Sequence, residues 1–226
     1  MKKKLILILT LIFFILLFFN KNIFQFILEK KISRWTKYNS NLILSKLNYF
    51  SGKIEIKNIQ LENKEDFFNQ NIFEASLVKI NLDPKTYFNE LVVLKRVFLQ
   101  KPKFYFEIKN STKGENIEIE DNLELIYKLS KNQEPKIYPK KNKDKNFIIF
   151  KLQIKEAVAF IKYQNTDENI KINLSDMSFS KVGNSGHSDK EFQHYKEVMK
   201  IILKDIYFKI PDKNLRKLIK EEYKLN

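Results

Sequence analysis

The chain opens with its longest apolar run. Lys2, Lys3 and Lys4 precede an uncharged stretch from Leu5 to Phe19, and apolar residues resume from Ile23 to Leu28. Such a run has no polar face, so it suits the interior of a single domain poorly. As a helix, residues 5–28 would measure about 36 Å at roughly 1.5 Å per residue, which is enough to cross a bilayer.

We therefore predict an uncleaved transmembrane signal-anchor over residues 1–30. Signal cleavage needs small residues after the apolar run, and residues 20–22 are Asn-Lys-Asn. The leading lysines favour a cytoplasmic N-terminus, with the rest of the chain on the far side of the membrane. Three basic residues beyond the run argue for the reverse orientation: Lys30, Lys31 and Arg34.

Apolar residues at helical spacing come next, and they predict an amphipathic linker helix over residues 31–50. We expect it to lie against the membrane surface or the domain and to lead to Gly52. The apolar positions are Ile32, Trp35, Tyr38, Leu42, Ile43, Leu47 and Phe50.

From residue 51 the apolar period changes to two, which is the signature of β-strands. In "KIEIKNIQL" the alternation slips by one residue at Lys57–Asn58, and similar slips follow Leu77 and Leu174. A slip of this kind predicts a β-bulge, and bulged strands bend and twist. Three slips predict an α+β fold built on a curved, bulged antiparallel sheet over residues 51–210. Further strands are predicted at 91–99, 104–108, 147–154 and 158–163.

Helical patterns return at the C-terminus. An apolar stripe between Phe192 and Ile206 predicts one helix, which Pro211 ends, and residues 211–226 predict a second amphipathic helix. In between, Pro84 predicts a short helical turn. Residues 131–146, "KNQEPKIYPKKNKDKN", have two prolines and no apolar periodicity, so we predict a mobile charged loop there.

Composition narrows the function classes. The net charge is +15, of which Lys2 to Lys4 account for only a part, and this balance attracts nucleic acid or anionic lipid. No RRM, OB-fold or helix-turn-helix pattern is present, and the anchor makes a nucleic-acid partner awkward, so none is predicted. The chain has no cysteine, which excludes disulfides and thiolate metal sites.

The stretch "SFSKVGNSGHSDKEFQH", residues 178–194, holds both histidines and two of the four glycines. Ser188 and Glu191 have the spacing of a capping box, in which each side chain bonds the other residue's backbone N–H. Gly183 and Gly186 are predicted to supply left-handed turn conformations. This interpretation makes the stretch a hinge between a strand and a helix.

A catalytic or metal-binding role for the same stretch is weaker. Ser185, His187 and Asp189 are alternate residues of one loop, whereas a catalytic triad converges from separate elements. His187, Asp189 and His194 are a thin ligand set for zinc. We therefore predict no enzyme activity, no metal and no cofactor.

The order of these segments resembles the N-terminal module of AsmA-like (AsmA/TamB-type) proteins. The resemblance rests on "GKIEIKNIQLEN", on "FEASLVKINLDPKTYFNELVVLKRVFLQKPKFYFEI", and on the later runs "NLELIYKL", "FKLQIKEAVAFIKY" and "INLSDMSFSKVGNSGHSDKEF". It implies inner-membrane anchoring, a periplasmic domain, and a part in phospholipid transport or envelope homeostasis. This chain is much shorter than the larger relatives, which form a long apolar groove.

On this resemblance we expect the protein to bind acyl chains of membrane phospholipid in a short groove and to pass them to a longer envelope protein. Self-association of the chain is the other expected partnership. An ordinary closed core under a covering helix is the alternative for the same residues, and a non-catalytic scaffold is the alternative function. Such a scaffold would bind a protein partner through its sheet edge or C-terminal helices. The predicted lipid-contact residues are Ile148, Phe150, Leu152, Ile154, Ile170, Ile172 and Leu174.

Overall fold

The computed structural model describes residues 10, 20–36, 38–63, 67–113, 116–121, 146–163, 169–184, 193–213, 215–217 and 220. Two longer helices are α1 (Lys21–Thr36) and α2 (Tyr195–Lys209), and a 3₁₀ turn spans Pro84–Thr86. The strands are β1 (Ser40–Asn48), β2 (Lys53–Glu62), β3 (Asn71–Leu82), β4 (Leu91–Lys113), β5 (Asn116–Asp121), β6 (Asn146–Lys155), β7 (Val158–Tyr163), β8 (Ile170–Asn173), β9 (Met177–Gly183) and β10 (Gln193–His194).

All of these strands belong to one sheet. Its main path is β1-β2-β3-β4-β6-β9-β10, with β5 and β7 paired to β4 and β8 paired to β7. The predicted α+β fold with a largely antiparallel sheet is confirmed. The pairs β4–β6, β4–β7 and β9–β10 are parallel, which the sequence did not predict. The segments predicted at 91–99 and 104–108 form the single strand β4.

Residues in a left-handed backbone conformation form a row across this sheet. Asn58, Lys101 and Glu156 have φ angles of 51°, 52° and 54°. The strand registers place Asn58 opposite Ser76, Ser76 opposite Lys101, and Lys101 opposite Glu156 at the β6–β7 junction. At this row the inward and outward alternation of β2, β3 and β4 shifts by one residue along one line. We call this row the bend line.

The bend line keeps apolar side chains on one face along each strand. In β4, Leu99 packs on the covered face before the line, whereas Phe104 and Phe106 do so after it. Side chains alternate with a period of two, so the extra residue at Lys101 returns the apolar positions to the same face. In β3, Ala75 and Val78 are likewise buried in one cluster. The burial pattern thus slips by one residue in both β2 and β3. In β2 the pairing with β1 shifts there as predicted for a bulge, whereas β3 pairs with β2 and β4 without a shift at this place.

The third predicted slip has a different structure. The chain leaves the sheet at residues 174–176, so β8 and β9 are separate strands that pair with β7 and β6 respectively. Asp176 accepts a hydrogen bond from the N–H of Glu156 at 3.0 Å, and Leu174 N–H donates to the carbonyl of Ala157. The break lies beside the bend line and continues it.

The predicted linker helix over residues 31–50 is wrong beyond Thr36, because residues 40–48 form the edge strand β1. Polar side chains of α1 bind the outer edge of β1. Leu42 N–H donates to Glu29 Oε1 at 3.2 Å, and Leu44 N–H donates to Gln25 Oε1 at 3.0 Å. The helix thus satisfies backbone groups that an edge strand otherwise leaves unpaired.

The predicted anchor also ends earlier than residue 30. Phe24 and Leu28 in α1 pack against the sheet, so the extension of the span to Leu28 is wrong. Within the described residues, no helix combines the length and apolar character needed to cross a membrane. Apart from Thr10, residues 1–19 lie outside them, and the prediction for Leu5–Phe19 stays a prediction.

Two clusters of apolar side chains cover the same face of the sheet. The N-terminal core lies under α1 and contains Leu42, Leu44, Ile56, Ile59, Ala75 and Val78. The C-terminal core lies under α2 and joins β4, β6, β7, β8 and β9 to Val198, Ile202 and Ile206. Phe73 and Leu99 pack against both, so the two cores are continuous.

The C-terminal segment follows the prediction where it is described. Helix α2 ends at Lys209, before Pro211. This is expected, because a proline disfavours the helical conformation of the residue that precedes it. Residues 215–217 are helical, and Leu215 is buried in the C-terminal core. The rest of the helix predicted over 211–226, and the charged loop up to residue 145, lie outside the described residues.

The bend line predicts a position-specific sensitivity to side-chain branching. A β-branched residue tolerates a positive φ poorly, so Lys101→Val should lower the free energy of unfolding by about 1–3 kcal/mol. Lys103→Val on the same strand is the matched control, since each lysine makes one exposed ion pair, at 3.6 Å to Glu156 and 3.4 Å to Glu74. Urea unfolding of the two variants in detergent measures the difference. Equal stability would contradict a strained row.

Candidate functional site

The structure places most of the predicted lipid-contact residues inside the C-terminal core. Ile154, Ile172 and Leu174 are buried, and Leu152 and Ile170 pack partly buried against them. Ile148 is also buried. Phe150 is half exposed, and it lies opposite Lys181, where β9 has a left-handed residue with φ of 51°. The packing favours the closed-core alternative for the five positions in that core, but not for Ile148 or Phe150.

Helix α2 closes this core with polar contacts as well as apolar ones. Asp205 accepts the N–H of Ser175 at 2.9 Å, and Lys209 Nζ donates to the carbonyl of Asn173 at 3.1 Å and to Ser175 Oγ at 2.8 Å. These bonds hold the C-terminal half of the helix to the β8–β9 connection. An acyl chain could reach the core only if α2 moved away.

The glycine-rich stretch has a structure that differs from the prediction. Gly183 is the last residue of β9 and pairs with Ile148 on one side and His194 on the other. Its backbone is in the strand, so the left-handed turn predicted there is wrong. Gln193 and His194 form β10, and the helix begins only at Tyr195. Gly186, Ser188 and Glu191, with the predicted capping box, lie outside the described residues.

The described residues offer little for metal or acid–base chemistry. Among them, no group of three or more His, Asp and Glu side chains could hold a metal ion. The ring of His194 packs on that of Tyr195, with 4.5 Å between centroids. His187 and Asp189, the other members of the zinc-ligand set rejected above, lie outside the described residues.

A buried carboxylate was missed by the sequence reasoning. Glu107 in β4 is only 1% exposed, and its oxygens accept the backbone N–H groups of Phe68, at 2.9 Å, and Asn69, at 3.3 Å. Its register neighbour Lys162 is also buried and places Nζ 3.2 Å from the centroid of the Phe68 ring. These contacts fix the β2–β3 loop on the outer face, so the pair has a structural role.

The outer face of the sheet carries a basic concavity of about 290 Å³. The strand register brings its cationic side chains together from four strands, although they are far apart in the sequence. Ile54 and Ile80 also border it, but both pack against the N-terminal core on the covered face, so the basic side chains set its chemistry. The lining residues are Lys46, Lys53, Ile54, Glu55, Lys79, Ile80, Asn81 and Arg96.

The electrostatics of Glu55 show the sign of the local field. The hydrogen bond from Ser45 Oγ, at 2.8 Å, is the largest cause that lowers the pKa of this carboxyl. The positive charges of Lys46, Lys79 and Lys57 lower the pKa further. Because positive charge favours the ionised form of a carboxyl, the site is electropositive even with Glu55 present. This concavity is the candidate functional site.

Its only sequence signal was the lysines that alternate with apolar residues in "KIEIK" and "LVKIN". Such lysines usually mark a solvated strand face, and nothing local shows that four strands bring the basic side chains together. Comparison with models of protein families, with curated proteins and with solved structures finds no match for this chain. The AsmA-like resemblance therefore stays a prediction from the sequence.

The buried carboxylate gives a testable consequence. Glu107→Ala leaves two backbone N–H groups without their acceptor, and each unsatisfied group costs about 1–3 kcal/mol. We expect a fall of about 2–4 kcal/mol in the free energy of unfolding, with faster proteolysis within residues 63–70. Glu62→Ala, at an exposed carboxylate near that loop, is the control. Unchanged proteolysis in Glu107→Ala would show that the loop is held by other contacts.

Proposed function

We propose that the protein is an inner-membrane-anchored, non-catalytic component of the cell envelope, with its domain in the periplasm, that acts as a scaffold for a protein partner. The observation that carries this proposal is the closure of the apolar face by the chain's own helices. With α1 and α2 in place, the described surface has faces and turns that a partner can contact. Its covered side has no open apolar groove.

The edge at β1 is a poor place for such a partner. A strand added at an edge must bond to its free N–H groups, and those of Ser40, Leu42 and Leu44 already donate to side chains of α1. The C-terminal helix is therefore favoured over strand addition at β1.

The outward face of α2 has the properties of a protein-binding surface. Ile201 and Phe208 are exposed, with 70% of the Phe208 side chain accessible. They are seven residues apart, so they lie on one face two turns from each other. Lys200 and Lys204 flank them and are exposed too. Aromatic and aliphatic anchors with a polar surround are typical of interface centres.

Phospholipid transport, as the AsmA-like resemblance implies, is the second candidate. One observation favours it: five of the seven predicted lipid-contact residues, Leu152, Ile154, Ile170, Ile172 and Leu174, pack in the core that the single helix α2 closes. Displacement of this one helix would open a short groove for an acyl chain. In that case the closed form described here is the lipid-free state.

One substitution separates the two candidates. Ile172 is 4% exposed in the C-terminal core, so a carboxylate there is buried without a partner and costs about 3–5 kcal/mol. If the core stays closed, Ile172→Asp should lose its cooperative thermal unfolding. Lys171→Asp, on the opposite face of β8, is the matched control and should melt like the wild type.

Bound phospholipid is measured by mass spectrometry on the same full-length preparations. A folded Ile172→Asp protein that has lost co-purified lipid would support the groove and contradict the scaffold proposal. An unfolded variant, together with a wild-type protein that carries no lipid, supports the scaffold.

The partner surface has its own test. Ile201→Ser combined with Phe208→Ser should abolish complementation of a strain that lacks the protein, because the apolar centre of the interface is removed. Protein level in the membrane and melting temperature should not change, since both side chains point outward. Lys200→Ser with Lys204→Ser on the same face is the control. Full complementation by the apolar double variant would rule this surface out.

A further inference from the structure

We propose that one end of the sheet is a docking surface for an anionic phospholipid bilayer. We call it the entry end, and define it as the turn Tyr49–Gly52, the segment Asp83–Glu90 and the first turn of α1. The proposal rests on the anchor in the proposed function and adds a second, reversible membrane contact. It goes beyond anchoring because it fixes which side of the domain faces the lipid.

The three parts of the entry end are held together by specific contacts. Tyr87 Oη donates to the carbonyl of Tyr49 at 3.0 Å, and Leu82 N–H donates to that of Gly52 at 2.8 Å. Gly52 has a φ of 66°, and a Cβ there would lie 1.9 Å from Leu82 O, so only glycine allows this approach. The ring of Phe24 in α1 meets that of Tyr49 edge to face.

Two phenylalanines project from the tips of this end. The Phe50 side chain is 86% exposed and the Phe88 side chain is 91% exposed, the two highest values among the exposed large apolar residues of the described part. Aromatic side chains partition favourably into the headgroup region of a bilayer. Because the two phenylalanines lie on neighbouring turns of one end, both can insert into the same flat bilayer surface.

Basic side chains surround these tips. The basic concavity opens beside them, because Lys53 directly follows the β1–β2 turn and Arg96 aligns with Asn81 in the adjacent register. Each lysine or arginine near an anionic leaflet adds to the attraction. The cations of the entry end and of the concavity beside it include Lys21, Lys46, Lys53, Lys79, Lys85, Lys95 and Arg96, against the carboxylates Glu55, Asp83 and Glu90.

The position of the apolar run supports the same occupant. Because α1 packs on the sheet from Phe24 onward, the part of the apolar run that remains for the span is the fifteen residues Leu5–Phe19. As a helix they would measure about 22 Å, against a hydrocarbon core of about 30 Å. A span this short draws Lys21 into the headgroup region. Lys21 Nζ donates to the carbonyl of Ser45 at 3.2 Å, so the entry end is drawn with it.

The cysteine-free sequence allows a direct test with single labels. Ser51→Cys and Asn89→Cys place a fluorophore beside each phenylalanine, and Gln70→Cys places one at the far end of β2 and β3, about 35 Å away at roughly 3.3 Å per residue. The full-length chain is reconstituted in phosphatidylcholine vesicles containing phosphatidylglycerol. Labels at 51 and 89 should be quenched by nitroxide-headgroup lipid and protected from aqueous iodide, whereas the label at 70 should behave in the opposite way.

Substitutions then test the chemistry of the contact. Phe50→Ser with Phe88→Ser should shift the docked-to-undocked ratio about tenfold toward undocked. Lys53→Gln or Lys85→Gln should shift it about fivefold each, and only when phosphatidylglycerol is present. Lys171→Gln, at an exposed lysine elsewhere, should change nothing.

Resistance to carbonate extraction in the same vesicles reports on the anchor separately. An extractable chain would refute the anchor in the proposed function and this proposal with it. A chain that resists extraction while all three labels stay accessible to iodide overturns only the docking surface. Protection that is independent of anionic lipid would also overturn it, because the charges would then have no role.

Discussion

A sheet whose side chains alternate with a period of two can bend without exposing its apolar face only if neighbouring strands gain a residue at the same place. This constraint governs the structure described here. Asn58, Lys101 and Glu156 take the same left-handed conformation along one row, with Ser76 between the first two. Pro102, which has no N–H to give to a ladder, directly follows Lys101, at a place where an irregular strand tolerates it. Because the row is shared, one apolar face extends through both cores. Without it, residues such as Phe104 and Phe106 would point to solvent.

The sequence predicted the strands best where apolar alternation was long enough to show its own interruption. The slips at Lys57–Asn58 and after Leu77 located part of the bend line to within a residue or two. Residues 40–48 were mistaken for a helix, because a short apolar run fits both the helical and the strand period. The backbone of this strand is also held by the side chains of Gln25 and Glu29, which belong to another element. The parallel pairing of β4 with β6 also could not be predicted, since register depends on a partner some 55 residues away in this chain.

The same limit explains the errors at the anchor and at the candidate site. Ile23 to Leu28 is apolar whether it faces lipid or the underside of a sheet, and periodicity does not distinguish the two environments. The apolar stripe of α2 could be recognised in the sequence. The closure of the core by this helix depends on contacts of Asp205 and Lys209 with the β8–β9 connection, which the sequence does not show. The basic concavity requires the registers of four strands at once. Local patterns identified the elements, while the surfaces arise only when those elements are aligned.

The parallel alignment of β4 with β6 and β7 also separates the folding of the chain into an earlier and a later stage. Strands β1 to β4 form an antiparallel meander of sequence neighbours with their own core under α1, and local contacts of this kind form quickly. The second edge of β4 has no partner until β6 is available, because β5 pairs with the last residues of β4 on the edge opposite β7. A chain that emerges N-terminus first therefore passes through a stage with an open central edge. That stage is the moment at which the protein is most exposed to mispairing, and the one at which a chaperone would matter most.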